Sequence, residues 1–455
     1  MSSLSKLGAC SVVIGIVIGA GIFKTPSMVA GITQDLGWLI AVWLLGALLS
    51  FAGALCWAEL SSSHPSTGGE YHFLDKAYGP SLAFLYAWAK TVVINPGAIA
   101  LLGFVLGDYL SAIYSLPWHS SAVWAMAVIL LLTATNLVGL KASAQLQTGM
   151  LVVELLVLLA IVVAGFSVGS PAAVDSATSQ AASSGLFATS PPLGLLGLAM
   201  VFVLLTFGGW GESAYLSAEL RDGPRAIVKV LLFSLSVISG IYILVNLALV
   251  AGLGIGGLAK SKAPGADILT MAFGSGNAQW AVAILSLAVG LAALTSINAT
   301  MIVGARTTHA LGNTWPALRL LSRWNPSKGL PVAALLFQSG IALALVAFGA
   351  MQKDGFTAMV EFTAPVFWAF LCLVGVSLFV LRRKAPAHND AFRVPLYPIT
   401  PILFVASCGY LTYSSVQYAM SQQALTVSAW LMVVGVLVLL ALRFGSGNTG
   451  ATRPA

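Results

Sequence analysis

Long apolar runs alternate with short polar connections from one end of the chain to the other. The runs fall near 7–30, 36–60, 81–110, 119–139, 147–167, 192–216, 228–252, 279–305, 329–349, 356–381, 398–418 and 425–443. Each is long enough, at about 20 residues, to cross a bilayer as a helix. Together they predict an all-α membrane protein with about twelve transmembrane helices. The interruptions are as informative as the runs. GIVIGAGIF (15–23), inside the first run, has three glycines in seven positions, each costing roughly 1 kcal/mol relative to Ala in a helix. Two readings stand for it. Gly15 and Gly19, with Ala20, form a small-residue seam for close helix packing, or the helix opens. An opened helix in lipid persists only where protein, water or a ligand satisfies the bare N–H and C=O groups.

Composition removes several classes. Hydrophobic residues make up 58% of the 455 and charged residues 8%, with a mean hydropathy of +0.95, which excludes a soluble domain. The net charge of +7 does not signal nucleic acid, because of where the basic residues fall. Lys76, Lys141, Arg221, Arg225, Lys229, Arg319, Arg323, Lys328, Arg382, Arg383, Lys384 and Arg393 follow even-numbered spans, whereas Lys260, Lys262 and Lys353 lie in the opposite loops. By the positive-inside rule both termini are expected in the cytoplasm of a multi-pass cell-membrane protein, with a bacterial inner membrane the first choice. The first run is too long for a removed signal peptide and lacks a small-residue cleavage site. Cys10, Cys56, Cys372 and Cys408 lie inside spans without metal-ligand spacing, so free thiols are expected, with no metal site and no cofactor.

After the second run comes ELSSSHPSTGGEYHFLDKAYGPSLAFLYAW (59–88). Pro65, Gly68 and Gly69 make a turn, and residues 71–78 are expected to form a short interfacial helix. This segment, with GIVIGAGIF, resembles the amino acid, polyamine and organocation transporter superfamily, whose members show an IGxGIF-like first helix and a P-x-S/T-G-G-E-Y loop. The likeness continues through SAELRDGPRAI (217–227), SINATMIVGARTTHALG (296–312) and LRRKAPAHNDAFRVPLYPITP (381–401). It implies a leucine-transporter-type fold: a 5+5 inverted repeat with helices 1 and 6 broken, plus two peripheral helices. The expected divisions are a first five-helix repeat at 1–168, an extracellular loop at 169–190, a second repeat at 191–384, and peripheral helices 11 and 12 with a short tail at 385–455. Paired interruptions in two repeats point to a midplane binding site. Span 6 supplies the second one, TFGGWGES (206–213), with three glycines in four positions around Trp210.

At such a break the N-terminal end of a half-helix offers free N–H groups and positive dipole, suited to a carboxylate, while a C-terminal end offers carbonyls, suited to an ammonium. A zwitterionic amino acid matches both. Its carboxylate is expected on the amides of Gly19, Ala20 and Gly21, and its amine on the carbonyls of Ile16 and Val17, with Thr206 and Gly209 across the site. The resemblance implies the same arrangement. Phe207 and Trp210 are candidate aromatic gates, core packing being the alternative for each. Glu212 reads as a gating or protonatable carboxylate, or as a partner for backbone freed by the break. Asn95-Pro96 predicts a kink in span 3 beside the pocket, and Thr295 and Ser296 of span 8 either line it or bind a cation. Glu154 stands in LVVELLVL, where the resemblance implies Lys in many relatives. An ionisable residue at this depth is a functional candidate. Three roles stand open for it: proton carrier, ion-pair partner of Lys90, or part of a cation site. Glu361 of span 10 is a second candidate of the same kind, with simple solvation near the extracellular end as the alternative.

The function these features imply is secondary active transport of an amino acid by alternating access. Neutral L-amino acids come first because no carboxylate cluster marks the pocket, with proton symport or exchange against a second amino acid as the coupling. Cationic amino acids or polyamines are the alternative that Glu212 keeps open. A non-transporting amino acid sensor would share the broken helices, although the tail after Leu442 is short and polar. An enzyme is not expected: no H-E-x-x-H motif occurs, and His64, His72, His119, His309 and His388 are scattered in or near connections. The expected partners are a small-molecule amino acid, protons or a counter-substrate, and membrane lipid.

Overall fold

The computed structural model describes residues 6–66, 69–138, 143–168, 186–188, 190–212, 226–274, 278–326, 330–384, 391–420 and 424–446. The described residues form a helical bundle. The first span is split into α1 (Lys6–Val17) and α2 (Thr25–Thr33), and is followed by α3 (Leu36–Ser63) and the short α4 (Gly69–Tyr78). Span 3 comprises α5 (Pro80–Ala89) and α6 (Asn95–Ile113), joined by a π turn at Lys90–Ile94. Then come α7 (Ser120–Val138), α8 (Ser143–Val168), α9 (Leu193–Thr206) and α10 (Ala226–Lys260). The chain closes with α11 (Pro264–Phe273), α12 (Ala278–Thr314), α13 (Val332–Ala350), α14 (Gly355–Lys384), α15 (Ile399–Met420) and α16 (Ala424–Ser446). Among the described residues ten helices are long and apolar enough to cross a membrane. The two spans predicted to be interrupted supply the rest of the expected dozen as shorter pieces.

Each helix reads its sequence by face. On α8, Leu156, Leu159, Val163 and Phe166 are exposed, while Glu154, Leu158 and Ile161 are buried, two stripes at helical spacing on opposite sides. The exposed stripe is apolar because the surrounding solvent is lipid, and the buried one carries the carboxyl. Span 3 lies at the centre: 83% of its most apolar stretch is buried, against 17% for the last helix. This agrees with a peripheral place for α16.

At Asn95-Pro96, where the sequence predicts a kink, span 3 carries a π turn. Proline removes an i→i−4 donor, and the chain absorbs the loss with a π turn in which the Asn95 N–H reaches back to Lys90 O. Asp35 caps α3 by accepting from Trp38 N at 3.0 Å, and also accepts from Phe187 N and Ala188 N. One carboxylate thereby ties the loop before α9 to the start of α3. At the other end of α3, Glu59 receives Arg382 Nε at 2.6 Å, Arg382 Nη2 at 2.5 Å and Val394 N at 2.6 Å, pinning the end of α14 and the segment after it.

Candidate site at the two helix breaks

The first break opens one residue after α1 ends. Ile18 N still donates to Ile14 O at 2.7 Å, and then Gly19 turns extended (φ −138°, ψ −173°) before a 3₁₀ turn at Ala20–Phe23. The chain restarts as α2 with Pro26 in its first turn, a position where the missing N–H costs nothing. Gly19, Ala20 and Gly21 have no acceptor for their N–H groups among the described residues. A side chain would be crowded here: a Cβ at Gly19 would lie 3.1 Å from Ser296 Oγ, and one at Gly21 would lie 3.3 Å from Thr206 Oγ1, so these hydroxyls would have to give by a few tenths of an ångström.

The second break follows α9. Phe207 N and Gly208 N still donate to Val203 O and Leu205 O. Gly209 then adopts φ +102°, a left-handed conformation that glycine alone adopts freely, and a 3₁₀ turn covers Trp210–Glu212. A Cβ on Gly209 would sit 2.8 Å from Ile16 Cγ2 and 3.1 Å from Ile16 O, so the two breaks touch through bare backbone. They are also laced together. The Tyr242 hydroxyl on α10 lies 3.0 Å from Val17 O and 3.2 Å from Thr206 O, donating to these carbonyls, and Thr25 Oγ1 meets Thr206 Oγ1 at 2.7 Å.

A cavity of about 300 Å³ lies between the breaks. Of the residues singled out from the sequence, Ile16, Val17, Gly19, Gly21, Lys90, Asn95, Thr206, Gly209, Trp210 and Ser296 line it. Others do not. Ala20 is fully buried beside it, leaving its amide as the group of interest. Phe207 is packed away from the cavity against Trp43 and Tyr242, with ring centroids 6.0 and 5.0 Å away, so the core-packing alternative holds for it. Trp210 does reach the cavity, edge-on to Trp57 at 5.3 Å. Thr295 Oγ1 donates to Leu291 O in its own helix, whereas Ser296 faces the first break. Glu212 has its backbone in the 3₁₀ turn, but its side chain lies outside the described residues, as do 213–225.

The proposed pairing of Lys90 with Glu154 gives way to another. Lys90 Nζ lies 3.2 Å from Glu70 Oε2, while Glu154 is buried on α8 and its Oε1 has no hydrogen-bond partner among the described residues. Glu361 is also buried, at 6% exposed. Of its two readings, solvation gives way, because α14 presents it inward rather than to the surface. Among the described residues no group of three His, Cys, Asp or Glu side chains is placed to hold a metal ion.

Three contributors escaped sequence reasoning. Tyr242 had no signal, being one aromatic residue in an apolar run. Glu70 stood within the PSTGGEY segment without being singled out. It accepts from Trp57 Nε1 at 3.2 Å and from the Tyr86 hydroxyl, pairs with Lys90, and would lie 2.9 Å from a Cβ on Gly211. Lys24, a charge in the middle of the first apolar run, was the readable clue. It pairs with Asp108, lies 3.9 Å from Asp354, and stands over the Phe356 ring. Lys90 and Asp108 are both on span 3, so at 1.5 Å per residue these two ionic clusters are about 27 Å apart along it, with the breaks between.

A second source of identity agrees with this geometry. The family model described as Amino acid permease matches residues 4–440. The serine/threonine exchanger SteT of Bacillus subtilis is 28% identical over 420 residues, covering 90% of each chain. The b(0,+)-type amino acid transporter 1 of Mus musculus is 25% identical, covering 87% of this chain and 79% of its own. The Asc-type amino acid transporter 1 of the same species is 24% identical, over 90% and 75%. With a match across almost its whole length and the paired helix breaks in place, the chain belongs to the amino acid permease family.

Proposed function

We propose that this permease is a secondary active transporter of neutral L-amino acids, working by alternating access. The observation that carries the reading is the run of amides at Gly19, Ala20 and Gly21 for which no described residue is an acceptor, with Gly19 and Gly21 lining the same cavity as Ile16, Val17, Thr206 and Gly209. The amides and the local positive dipole suit a carboxylate. No described residue donates to Ile16 O, and the carbonyls of Val17 and Thr206, which accept from Tyr242, each retain a second lone pair for an ammonium. The two charged side chains described in the cavity wall, Lys90 and Glu70, are paired with each other, which favours a neutral substrate side chain over a charged one.

The names of the relatives, an exchanger among them, support exchange of one amino acid for another as the coupling. Glu154 keeps proton symport as the second form of coupling, because a buried carboxyl without a counter-cation is suited to carrying a proton. In this reading 1–168 and 191–384 are the two repeats, and α15 and α16 are peripheral. The termini face the cytoplasm, placing the Glu70 cluster inward and Lys24 with Asp108 outward. The test is uptake of radiolabelled L-amino acids into proteoliposomes, with and without a proton gradient and with and without internal amino acid. Uptake only with internal amino acid establishes exchange, and accumulation driven by the gradient alone establishes symport. Uptake competed by arginine or putrescine but not by alanine or leucine would replace the neutral reading with the cationic one. Binding without uptake would leave a sensor.

A further inference from the structure

Among the described residues, Glu70 of α4 and Lys90 of the π turn are the charged side chains that line the cavity, and both are buried. Glu70 is the fixed member. Its Oε1 accepts from Trp57 Nε1 at 3.2 Å, and its Oε2 accepts from the Tyr86 hydroxyl as well as from Lys90 Nζ at 3.2 Å. The two aromatic donors are themselves wedged, Trp57 edge-on to Trp210 and Tyr86 edge-on to Phe370. Lys90 is the mobile member, reaching the carboxylate on a flexible four-carbon stem. The pair stands at the site rather than behind it. A Cβ on Gly211, in the 3₁₀ turn of the second break, would lie 2.9 Å from Glu70 Oε1, so the carboxylate packs against the bare backbone of that turn. On the other side Ile94 and Asn95, which follow Lys90 on span 3, line the same cavity.

We infer that Glu70 and Lys90 are the specificity-determining pair of this permease: by neutralising each other in the cavity wall they reject substrate side chains of either charge, and loss of either one admits the charge that it opposed. The inference rests on the reading of the breaks as the amino acid site, and it assigns the charge rule of that site to two residues outside both breaks. An acidic side chain reaches Lys90 only by taking it from Glu70, and then stands beside the fixed carboxylate. A basic side chain meets the reverse, because Lys90 already occupies that carboxylate. A buried charge deprived of its partner is strongly unfavourable, so a substrate that merely exchanges one ion for another gains nothing. Removing one member changes the balance. Without the charge of Glu70 the wall carries an unbalanced ammonium, which a substrate carboxylate offsets; without Lys90 it carries an unbalanced carboxylate, which a substrate ammonium offsets. Glu70→Gln is close in shape and keeps an oxygen for Trp57, so it removes the charge with the least change to the packing. Replacing both members leaves a neutral wall that rewards neither charge.

The experiment is competition against radiolabelled alanine, read both as uptake into proteoliposomes and as binding to the purified protein, for the unmodified permease, Glu70→Gln, Lys90→Gln and the double variant. Competitors are compared in pairs alike in size: glutamate with glutamine, and lysine with norleucine. In the unmodified protein each charged member should compete less well than its neutral counterpart by about tenfold or more, the factor one charge-assisted hydrogen bond supplies. Glu70→Gln should move the glutamate-to-glutamine ratio toward glutamate by about the same factor and leave lysine rejected. Lys90→Gln should move the lysine-to-norleucine ratio toward lysine and leave glutamate rejected. The double variant should reject both again. Either single variant decides the matter if the other fails to fold. A pair that served packing alone would weaken alanine binding in the variants and leave both ratios where they stand, and that result overturns the inference. So does a charged competitor that matches its neutral counterpart in the unmodified protein. Alanine that neither binds to nor enters with the unmodified protein overturns the functional reading and the inference with it.

Discussion

The two helix breaks use glycine for different ends. At the first, Gly19 and Gly21 expose a run of amides that no described group accepts. At the second, Gly209 takes a left-handed turn and lies against Ile16, and the carbonyl of Thr206 is already engaged by Tyr242. The first break is rich in unused donors, and the second is braced and supplies shape and acceptors. In lipid each unsatisfied group is costly, which is why we propose the run of unused donors as the place for an anion and the braced partner as what keeps that place in register.

Substitutions at the breaks separate these roles. The largest effect is expected at Gly21→Leu. The branched side chain fills the space in front of the amides, so equilibrium binding should weaken by about 100-fold or more, as for loss of two charge-assisted hydrogen bonds. The protein should remain membrane-inserted, and retained affinity would remove the first break from the site. Gly209→Ala tests the brace. It places a Cβ at positive φ and 2.8 Å from Ile16 Cγ2, and should destabilise the protein by about 1–3 kcal/mol, read as a lower unfolding midpoint in detergent. An unchanged midpoint would show that the contact between breaks is slack. Tyr242→Phe removes the hydroxyl that joins Val17 O to Thr206 O, and transport should fall by about tenfold with expression preserved. The smallest effect on binding is expected at Glu154→Gln, which leaves both breaks untouched. There affinity should hold while the pH dependence of uptake flattens, and a profile matching the unmodified protein would take Glu154 out of proton coupling.

The spans, both breaks and an irregularity before Pro96 were legible because each depends on short-range rules: apolar length, glycine in a helix, and proline's missing donor. The span ends were less so. α12 reaches Thr314, well past the predicted 305, because a polar continuation folds as helix once the chain leaves the apolar layer. Within the site, sequence reached the backbone better than the side chains. Gly19 and Gly209 announce bare backbone wherever they stand, but which way Phe207 or Thr295 points depends on helix rotation, which the packing of α9 against α3 and α10 and the packing of α12 decide. Pairing was the least legible of all. Lys90 had several carboxylates to choose from in sequence, and α4 folding back beneath the second break brought it Glu70 rather than Glu154.

The central claim is that the substrate's carboxylate sits on the amides of Gly19, Ala20 and Gly21. The most direct measurement is competition for binding to the purified, unmodified permease by a neutral amino acid and by its amide and amino-alcohol analogues, which keep the amine and side chain but lose the carboxylate. Binding of the amino acid alone, with both analogues weaker by about 100-fold or more, is the predicted result. Analogues that bind as well as the parent amino acid would contradict the account, because the unused amides of the first break would then have no part in recognition.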